Sequence, residues 1–279
     1  MVAQIIDGRA LSQDLNKKTA LQIKNASMTP HLAIILANDN PASRIYVDRK
    51  IKACVDVGIK PILHNLPATV SEVDFISLIK SCNDDPQING IIVQLPLSDH
   101  LDTNHIIQQI DPKKDVDGLT TVNLGKMIIG DESGLVPCTP QGVMATLKSI
   151  ELDLDGKHAV IIGRSLLFGK PMGQLLLHAN CTVTQCHSKT VDLASLTRQA
   201  DIVIAAVGQP KIVQADWIKD GAVVIDVGIT RMDDGTISGD VDFDAVQDKA
   251  SFITPVPGGV GPMTVACLLA NTERATHNA

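Results

Sequence analysis

The sequence predicts an α/β protein of two domains, and three observations predict it. Short runs rich in Ile, Val and Leu alternate with helix-length segments along most of the chain. The alternation loosens after Asp117-Gly118 and starts again near Lys157, so there are two series rather than one. A length of 279 residues is long for one domain and comfortable for two.

In the first series, His31–Ala37 reads as a buried strand. Pro41–Val57 reads as a helix that Gly58 ends, and Lys60–Leu66 as a strand. Ser71–Cys82 reads as a helix, with Ser71 as N-cap and Asp74 in the first turn. Gly90–Leu95 is a strand and His105–Ile110 a short helix. Thr139–Ile150 is a helix opened by Thr139-Pro140. In the second series the strands are Ala159–Ile162, Thr182–Gln185, Asp201–Val207, Ala222–Val227 and Ser251–Thr254. Helices are read at Pro171–Ala179, Val191–Ala200 and Met263–Arg274. Strands that alternate with helices pair in parallel, in sheets covered on both faces. Thr139–Ile150 and Met263–Arg274 are the expected connectors between the halves.

Composition narrows the classes of function. Hydrophobic residues make up 44% but aromatics only 2%, so Ile, Val, Leu and Ala must build the cores. A net charge of −7 argues against binding nucleic acid through phosphate contacts. No apolar run reaches membrane-spanning length, and the first residues have neither a basic region nor a signal-like apolar run, so the cytoplasm is expected. The six cysteines form no Cys-x-x-Cys, which suits a reducing compartment. Cys181, Cys186 and His187 are the only cluster resembling metal ligands; they alternate as a strand does, and no metal is expected.

Tyr46 and Lys50 stand four residues apart on the helix Pro41–Val57, and so share one face. A lysine beside a phenol ring and partly desolvated has its pKa lowered toward neutrality, which suits acid–base work. Gln94 follows three branched apolar residues at a strand end, where a polar side chain needs a partner. That partner is either a lysine amine or loop backbone. Asp115 and Asp117 share the turn before Gly118, and either can be its turn carboxylate.

In the second half, Gly163 turns the chain off a strand, Gly169 permits close backbone approach, and a helix N-terminus follows for phosphate. This is not Gly-x-Gly-x-x-Gly, and an ordinary strand–helix turn is the competing reading. The next strand ends at His187-Ser188-Lys189 with no carboxylate, and Arg164 and Ser165 stand in the first turn. Cationic and hydroxyl groups there favour a 2′-phosphate, hence NADP; Arg164 as a plain surface charge is the alternative. Two further strands end in glycine, at Gly208 and Gly228. Thr254–Thr264 is the densest Gly/Pro stretch, fit for close approach to a flat ligand or for a rigid hinge.

Together these segments resemble the bifunctional methylenetetrahydrofolate dehydrogenase/cyclohydrolase family, the bacterial FolD type. The matching motifs are Tyr-Val-Asp-Arg-Lys (46–50), Val-Gln-Leu-Pro-Leu (93–97), Lys-Asp-Val-Asp-Gly (114–118), Pro-Cys-Thr-Pro-Gln-Gly (137–142), Gly-Arg-Ser-x-x-x-Gly-x-Pro (163–171), Cys-His-Ser-Lys-Thr (186–190) and Pro-Val-Pro-Gly-Gly-Val-Gly-Pro-Met-Thr (255–264). They span nearly the whole chain in the family's order. Phe168 departs from it, in a slot that often holds valine.

The resemblance implies two α/β domains flanking a cleft. A folate-binding catalytic domain would comprise residues 1–138 plus 262–279, and a Rossmann-like NADP-binding domain residues 139–261. It implies oxidation of 5,10-methylenetetrahydrofolate with NADP⁺ and then hydrolysis to 10-formyltetrahydrofolate, in a homodimer. It makes Lys50 the acid–base group, tuned by Gln94, with Tyr46 stacking on the folate and Asp117 binding the pterin. Leu95, Pro96 and the loop Pro257, Gly258, Gly259, Val260 and Gly261 would line the folate. Gly163, Arg164, Ser165, Gly169, Ser188 and Ile229 would meet NADP. Two other readings of the motifs compete with it. Short-chain oxidoreductases also use Tyr-x-x-x-Lys, but place their glycine loop before the pair. A nucleotide-sensing protein without activity would have no use for the set Tyr46, Lys50, Gln94 and Asp117.

Overall fold

The computed structural model describes residues 2–277, the side chain of Ala42 excepted. The chain forms two compact units, Asp14–Cys138 with Val265–Ala279, and Met1–Gln13 with Thr139–Thr264. The expected grouping of 1–138 with 262–279 is therefore corrected at both ends. Residues up to 13 belong to the second unit because the strand Gln4–Ile5 pairs in parallel with Phe252–Ile253 at that unit's sheet edge. A two-residue strand is too short to show any alternation in the sequence. Residues 262–264 follow because the helix Val260–Ala275 begins earlier than expected and passes from one unit to the other within its length. The helix Gly8–Asn25 makes a crossing too, which the sequence reading omitted.

The first unit is built on three parallel strands in the order Lys60–Asn65, His31–Leu36, Gly90–Val93. Residues 32–36 of the central strand are all buried, which is why they read as an unbroken apolar run. Alternate side chains serve opposite faces. Leu32, Ile34 and Leu36 pack with Val47, Cys54 and Val57 of the helix Pro41–Val57. Ala33 and Ile35 pack with Phe75, Ile79 and Cys82 of the helix Glu72–Asp84. Pro41 begins its helix where a missing N–H costs nothing, and Gly58 leaves it at φ +92°.

The second unit carries six parallel strands in the order Gln4–Ile5, Phe252–Ile253, Val223–Asp226, Ile202–Ala205, His158–Ile162, Thr182–Cys186. After Gln4–Ile5 the chain lays down His158–Ile162, adds Thr182–Cys186 on one side, then crosses to Ile202–Ala205 on the other. This is the doubly wound, Rossmann-like arrangement, and the strand order reverses between His158–Ile162 and Ile202–Ala205. The smaller sheet has the same reversal, between His31–Leu36 and Gly90–Val93.

Several elements differ from expectation. The helix Gly8–Asn25 is mostly polar, but Leu11, Leu15, Thr19 and Ile23 make a stripe at four-residue spacing. Asp7 caps it, its carboxylate accepting from the N–H groups of Arg9 and Ala10 at 2.9 and 3.1 Å. The helix Thr121–Ile129 fills the stretch that had read as loose; Thr120 caps its start and Gly130, at φ +75°, its end. The helix expected over 191–200 shrinks to Leu193–Thr197. Thr230–Arg231 and Ile237–Ser238 form an antiparallel hairpin around Asp234-Gly235. Among the described residues, no helix is long and apolar enough to cross a membrane.

Ser71 behaves as its position predicts, its side chain accepting from the Asp74 N–H at 3.1 Å. Ser71→Ala is expected to lower unfolding stability by about 1 kcal/mol with an unchanged denaturant slope, measured by urea titration.

Candidate active site

Lys50 lies one turn beyond Tyr46 on the helix Pro41–Val57, and its Nζ donates to Gln94 Oε1 at 2.9 Å. Gln94 is 8% exposed and sits directly after the strand Gly90–Val93. Its backbone N–H donates to Ile35 O at 2.8 Å, and its Nε2 to Leu95 O at 2.6 Å. Both partners that the sequence left open, lysine and loop backbone, are thus present on the two ends of one amide. The Leu95-Pro96 peptide is cis, and Pro96 O accepts from Asn38 Nδ2 at 2.8 Å, closing the ends of the two strands over each other. Tyr46, the only tyrosine in the chain, is 39% exposed.

Burial pushes the Lys50 amine down from the ordinary lysine range, and the Asp117 carboxylate pulls it part of the way back. Asp117 shows the mirror image. Burial raises its carboxyl above the usual range, while Lys50 and a hydrogen bond from the Cys138 thiol lower it. In both members burial outweighs the pairing, so each is poised nearer its neutral form than in water. Cys54 and Cys138 stand beside Lys50 as buried thiols, Cys54 pushed up to about 12 by burial, so they remain protonated.

The two aspartates of the 115–118 turn separate cleanly. Asp115 is 1% exposed, and its Oδ2 accepts from the Thr120 N–H at 2.7 Å and Asn123 Nδ2 at 2.9 Å. It braces the turn. Asp117 faces Lys50. Lys114 is neither: its Nζ donates to the carbonyls of Cys82, Asn83 and Asp85 at 3.1, 2.6 and 2.8 Å, capping the C-terminus of the helix Glu72–Asp84.

In the other unit, Gly163 leaves the strand His158–Ile162 at φ +138°. A Cβ there would lie 2.6 Å from Ala206 O, and one on Gly169 would lie 2.3 Å from Gly163 O. Both glycines are therefore required by close backbone approach at the point where the strand order reverses, which is where open α/β sheets bind ligands. Gln185 Nε2 donates to Gly163 O at 3.0 Å and ties this turn to the next strand, a residue that the sequence reading passed over. Ser165 is exposed, and its Oγ accepts from the Phe168 N–H at 3.2 Å, bracing the loop ahead of the helix Gly169–His178. Phe168 is buried with Ile161, Met172 and Leu176, so the departure at this position is absorbed by packing under the loop.

The His187–Thr190 turn closes on itself, His187 N–H donating to Thr190 Oγ1 at 2.9 Å and Lys189 N–H to His187 Nδ1 at 3.1 Å. Ser188, Lys189 and Arg164 are left exposed. These hydroxyl and cationic groups, with the glycine cradle, fit a phosphorylated dinucleotide. Among the described residues, no group of three or more His, Cys, Asp or Glu is arranged to hold a metal.

The loop Pro257–Gly261 belongs to this second unit. A Cβ on Gly261 would lie 3.7 Å from Ile229 Cδ1, and one on Gly8 would overlap Gly259 O. Gly8 is a further requirement of this loop that was missed, its signal being only the Asp7-Gly8 dipeptide. The structure thus brings Lys50, Gln94 and Asp117 together in one unit. In the other it brings together Gly163 with Gly169, and Ile229 with Gly261.

Residues 6–117 match the model of the tetrahydrofolate dehydrogenase/cyclohydrolase catalytic domain, and residues 137–279 that family's NAD(P)-binding domain. The chain belongs to the tetrahydrofolate dehydrogenase/cyclohydrolase family. It is 52% identical to the bifunctional protein FolD of Delftia acidovorans, over 100% of this chain and 99% of that one. The FolD methylenetetrahydrofolate dehydrogenase/cyclohydrolase of Campylobacter jejuni has the same fold, with a TM-score of 0.97 and 46% identity over 99% of each chain. The Trypanosoma brucei enzyme of this family, solved with NADP cofactor and inhibitor, gives a TM-score of 0.94 at 36% identity, covering 100% of this chain and 99% of that one.

Proposed function

We propose that this chain oxidises 5,10-methylenetetrahydrofolate with NADP⁺ to the 5,10-methenyl cation, and then hydrolyses that cation to 10-formyltetrahydrofolate. The observation that carries the reading is the 2.9 Å bond from Lys50 Nζ to Gln94 Oε1, in a setting that lowers the lysine pKa. Family membership and a glycine turn without a neighbouring carboxylate support NADP as the cofactor.

NADP⁺, when bound, accepts the hydride from the methylene carbon. Gly163 and Gly169 let the backbone approach it closely, while Arg164, Ser165, Ser188 and Ile229 make its contacts. Arg164 meets the 2′-phosphate. Tyr46 stacks on the folate, and Leu95, Pro96 and the loop 257–261 line it. Asp117 accepts from the amino-pyrimidine edge of the pterin.

Hydride loss needs no base, because it leaves an amidinium cation stabilised by the lone pairs of both flanking nitrogens and releases no proton. Hydrolysis does need one. The neutral Lys50 amine takes a proton from the water whose oxygen bonds to the cationic carbon. Gln94 Oε1 holds the amine in place through this step without adding a charge. The ammonium then returns a proton to the folate nitrogen at position 5 as its bond to that carbon breaks. The remaining hydroxyl proton leaves as the formyl C=O forms, so one water is consumed and one proton released.

Six buried, unpaired cysteines support a reducing compartment, the cytoplasm in this reading. The family resemblance implies a homodimer.

Purified protein given 5,10-methylenetetrahydrofolate should reduce NADP⁺ with only a transient methenyl absorbance band. In Lys50→Met the same assay should show reduction with methenyl accumulating, cyclohydrolase falling by roughly 10²–10⁴-fold. Wild-type hydrolysis in that variant removes Lys50 from the mechanism. The wild-type hydrolysis rate should rise with pH as Lys50 loses its proton. Because Asp117 holds the lysine pKa up, Asp117→Asn should move that rise to lower pH at saturating folate. A rise that stays put or moves upward assigns it to another group. Arg164→Ala should weaken NADP binding by roughly 10–100-fold, as expected for one charge-assisted bond, with NAD⁺ use little changed. Equal losses for both cofactors would contradict a 2′-phosphate contact.

A further inference from the structure

The peptide that joins Val116 to Asp117 is gripped by a residue from the far end of the chain. Val116 O accepts from Asn271 Nδ2 at 2.9 Å, with Cys138 Sγ 3.2 Å away. That oxygen lies in one rigid plane with the N–H of Asp117, so fixing it fixes the direction in which Asp117 leaves the turn. The same Nδ2 donates to Val136 O at 2.9 Å, with Cys138 Sγ at 3.6 Å. Residues 135–137 are the backbone against which Gly118 packs, where a Cβ would lie 2.6 Å from the Val136 carbonyl carbon. Asn271 therefore ties together the two strips of backbone that enclose Asp117. It is 1% exposed on the helix Val260–Ala275. A primary amide carries two N–H groups on one nitrogen and can serve both carbonyls at once, which a hydroxyl cannot.

We propose that Asn271 is a positioning residue for substrate binding, its amide setting the Asp117 carboxylate toward the pterin. This rests on the reading of Asp117 as the pterin acceptor. A residue that only fills the core would affect folate and NADP together and act independently of Asp117. A residue acting through Asp117 loses its effect once Asp117 is gone.

The test is a double-mutant cycle in the full chain: Asn271→Leu, Asp117→Ala and both together, with KM for methylenetetrahydrofolate and for NADP⁺ measured separately. Asn271→Leu is expected to raise the folate KM roughly tenfold, leave the NADP⁺ KM within about twofold, and add less than about twofold on the Asp117→Ala background. Asn271→Ser, which keeps one donor, should fall between and serves the same cycle if the leucine variant does not fold. Additive effects of the two substitutions, or parallel losses for folate and NADP⁺, overturn the proposal alone. An unchanged folate KM in Asp117→Ala overturns the reading of Asp117 and the proposal with it.

Discussion

A lysine amine in a place poor in water is the constraint around which the first unit is arranged. Withdrawn from solvent, an ammonium either sheds its proton or is compensated by neighbours. Lys50 is balanced between the two. Its hydrogen-bond partner Gln94 is an acceptor with no charge, so it fixes the amine without holding the proton on it. A carboxylate in that place would pin Lys50 as a cation and remove the base. Asp117 supplies a partial opposing pull, and burial raises that carboxyl in turn. Gln94 has its own unsatisfied end, and Leu95 O takes it. The site is thus a chain of satisfied partners that ends in backbone, which keeps a polar group at a strand end from costing stability.

Both units place their functional groups by one topological device. In each, the chain lays one strand, adds a neighbour on one side, and then crosses to the other side. The loops after the first-laid strand and the crossed strand approach each other at the carboxyl ends, beside the gap where open α/β sheets take ligands. In the smaller sheet that gap receives Gln94, Asn38 and the start of the helix bearing Tyr46 and Lys50. In the larger sheet it receives Gly163 and Ala206, so close that no side chain fits between them. One gap is lined with side chains and the other with bare backbone. That difference suits acid–base chemistry in the first and close approach of phosphates in the second.

The parts of the fold legible in the sequence were those where one local signal sufficed. Pro41 and Gly58 bracket a helix, Ser71 caps another, and a short apolar run at 32–36 between turn signals reads as a strand covered on both faces. The illegible parts depend on partners distant in sequence. Gln4–Ile5 is a strand solely because Phe252–Ile253 lies beside it. The helix Gly8–Asn25 buries a narrow stripe while the rest of its surface is polar, and so gives little periodic signal. In the site, Lys50 and Gln94 were legible as two polar groups each needing a partner. Gln185 and Gly8 were not, because each serves a backbone atom more than twenty residues away in the chain.

The motif Lys-Asp-Val-Asp-Gly shows why residue type alone does not assign roles. Its two carboxylates are chemically alike and two positions apart. What distinguishes them is which neighbours consume them. Asp115 is spent on the Thr120 N–H and Asn123, Lys114 on three carbonyls at a helix end, and Val116 on Asn271 through its backbone. Gly118 takes a left-handed turn that any side chain would block. Asp117 is left facing the Lys50 amine. A single carboxylate can be aimed to within the tolerance that recognition requires only when the residues around it have no other freedom. The other positions therefore serve the turn around Asp117 or, for Lys114, a neighbouring helix end, and a stretch that looks like a cluster of acids and bases is mostly scaffold.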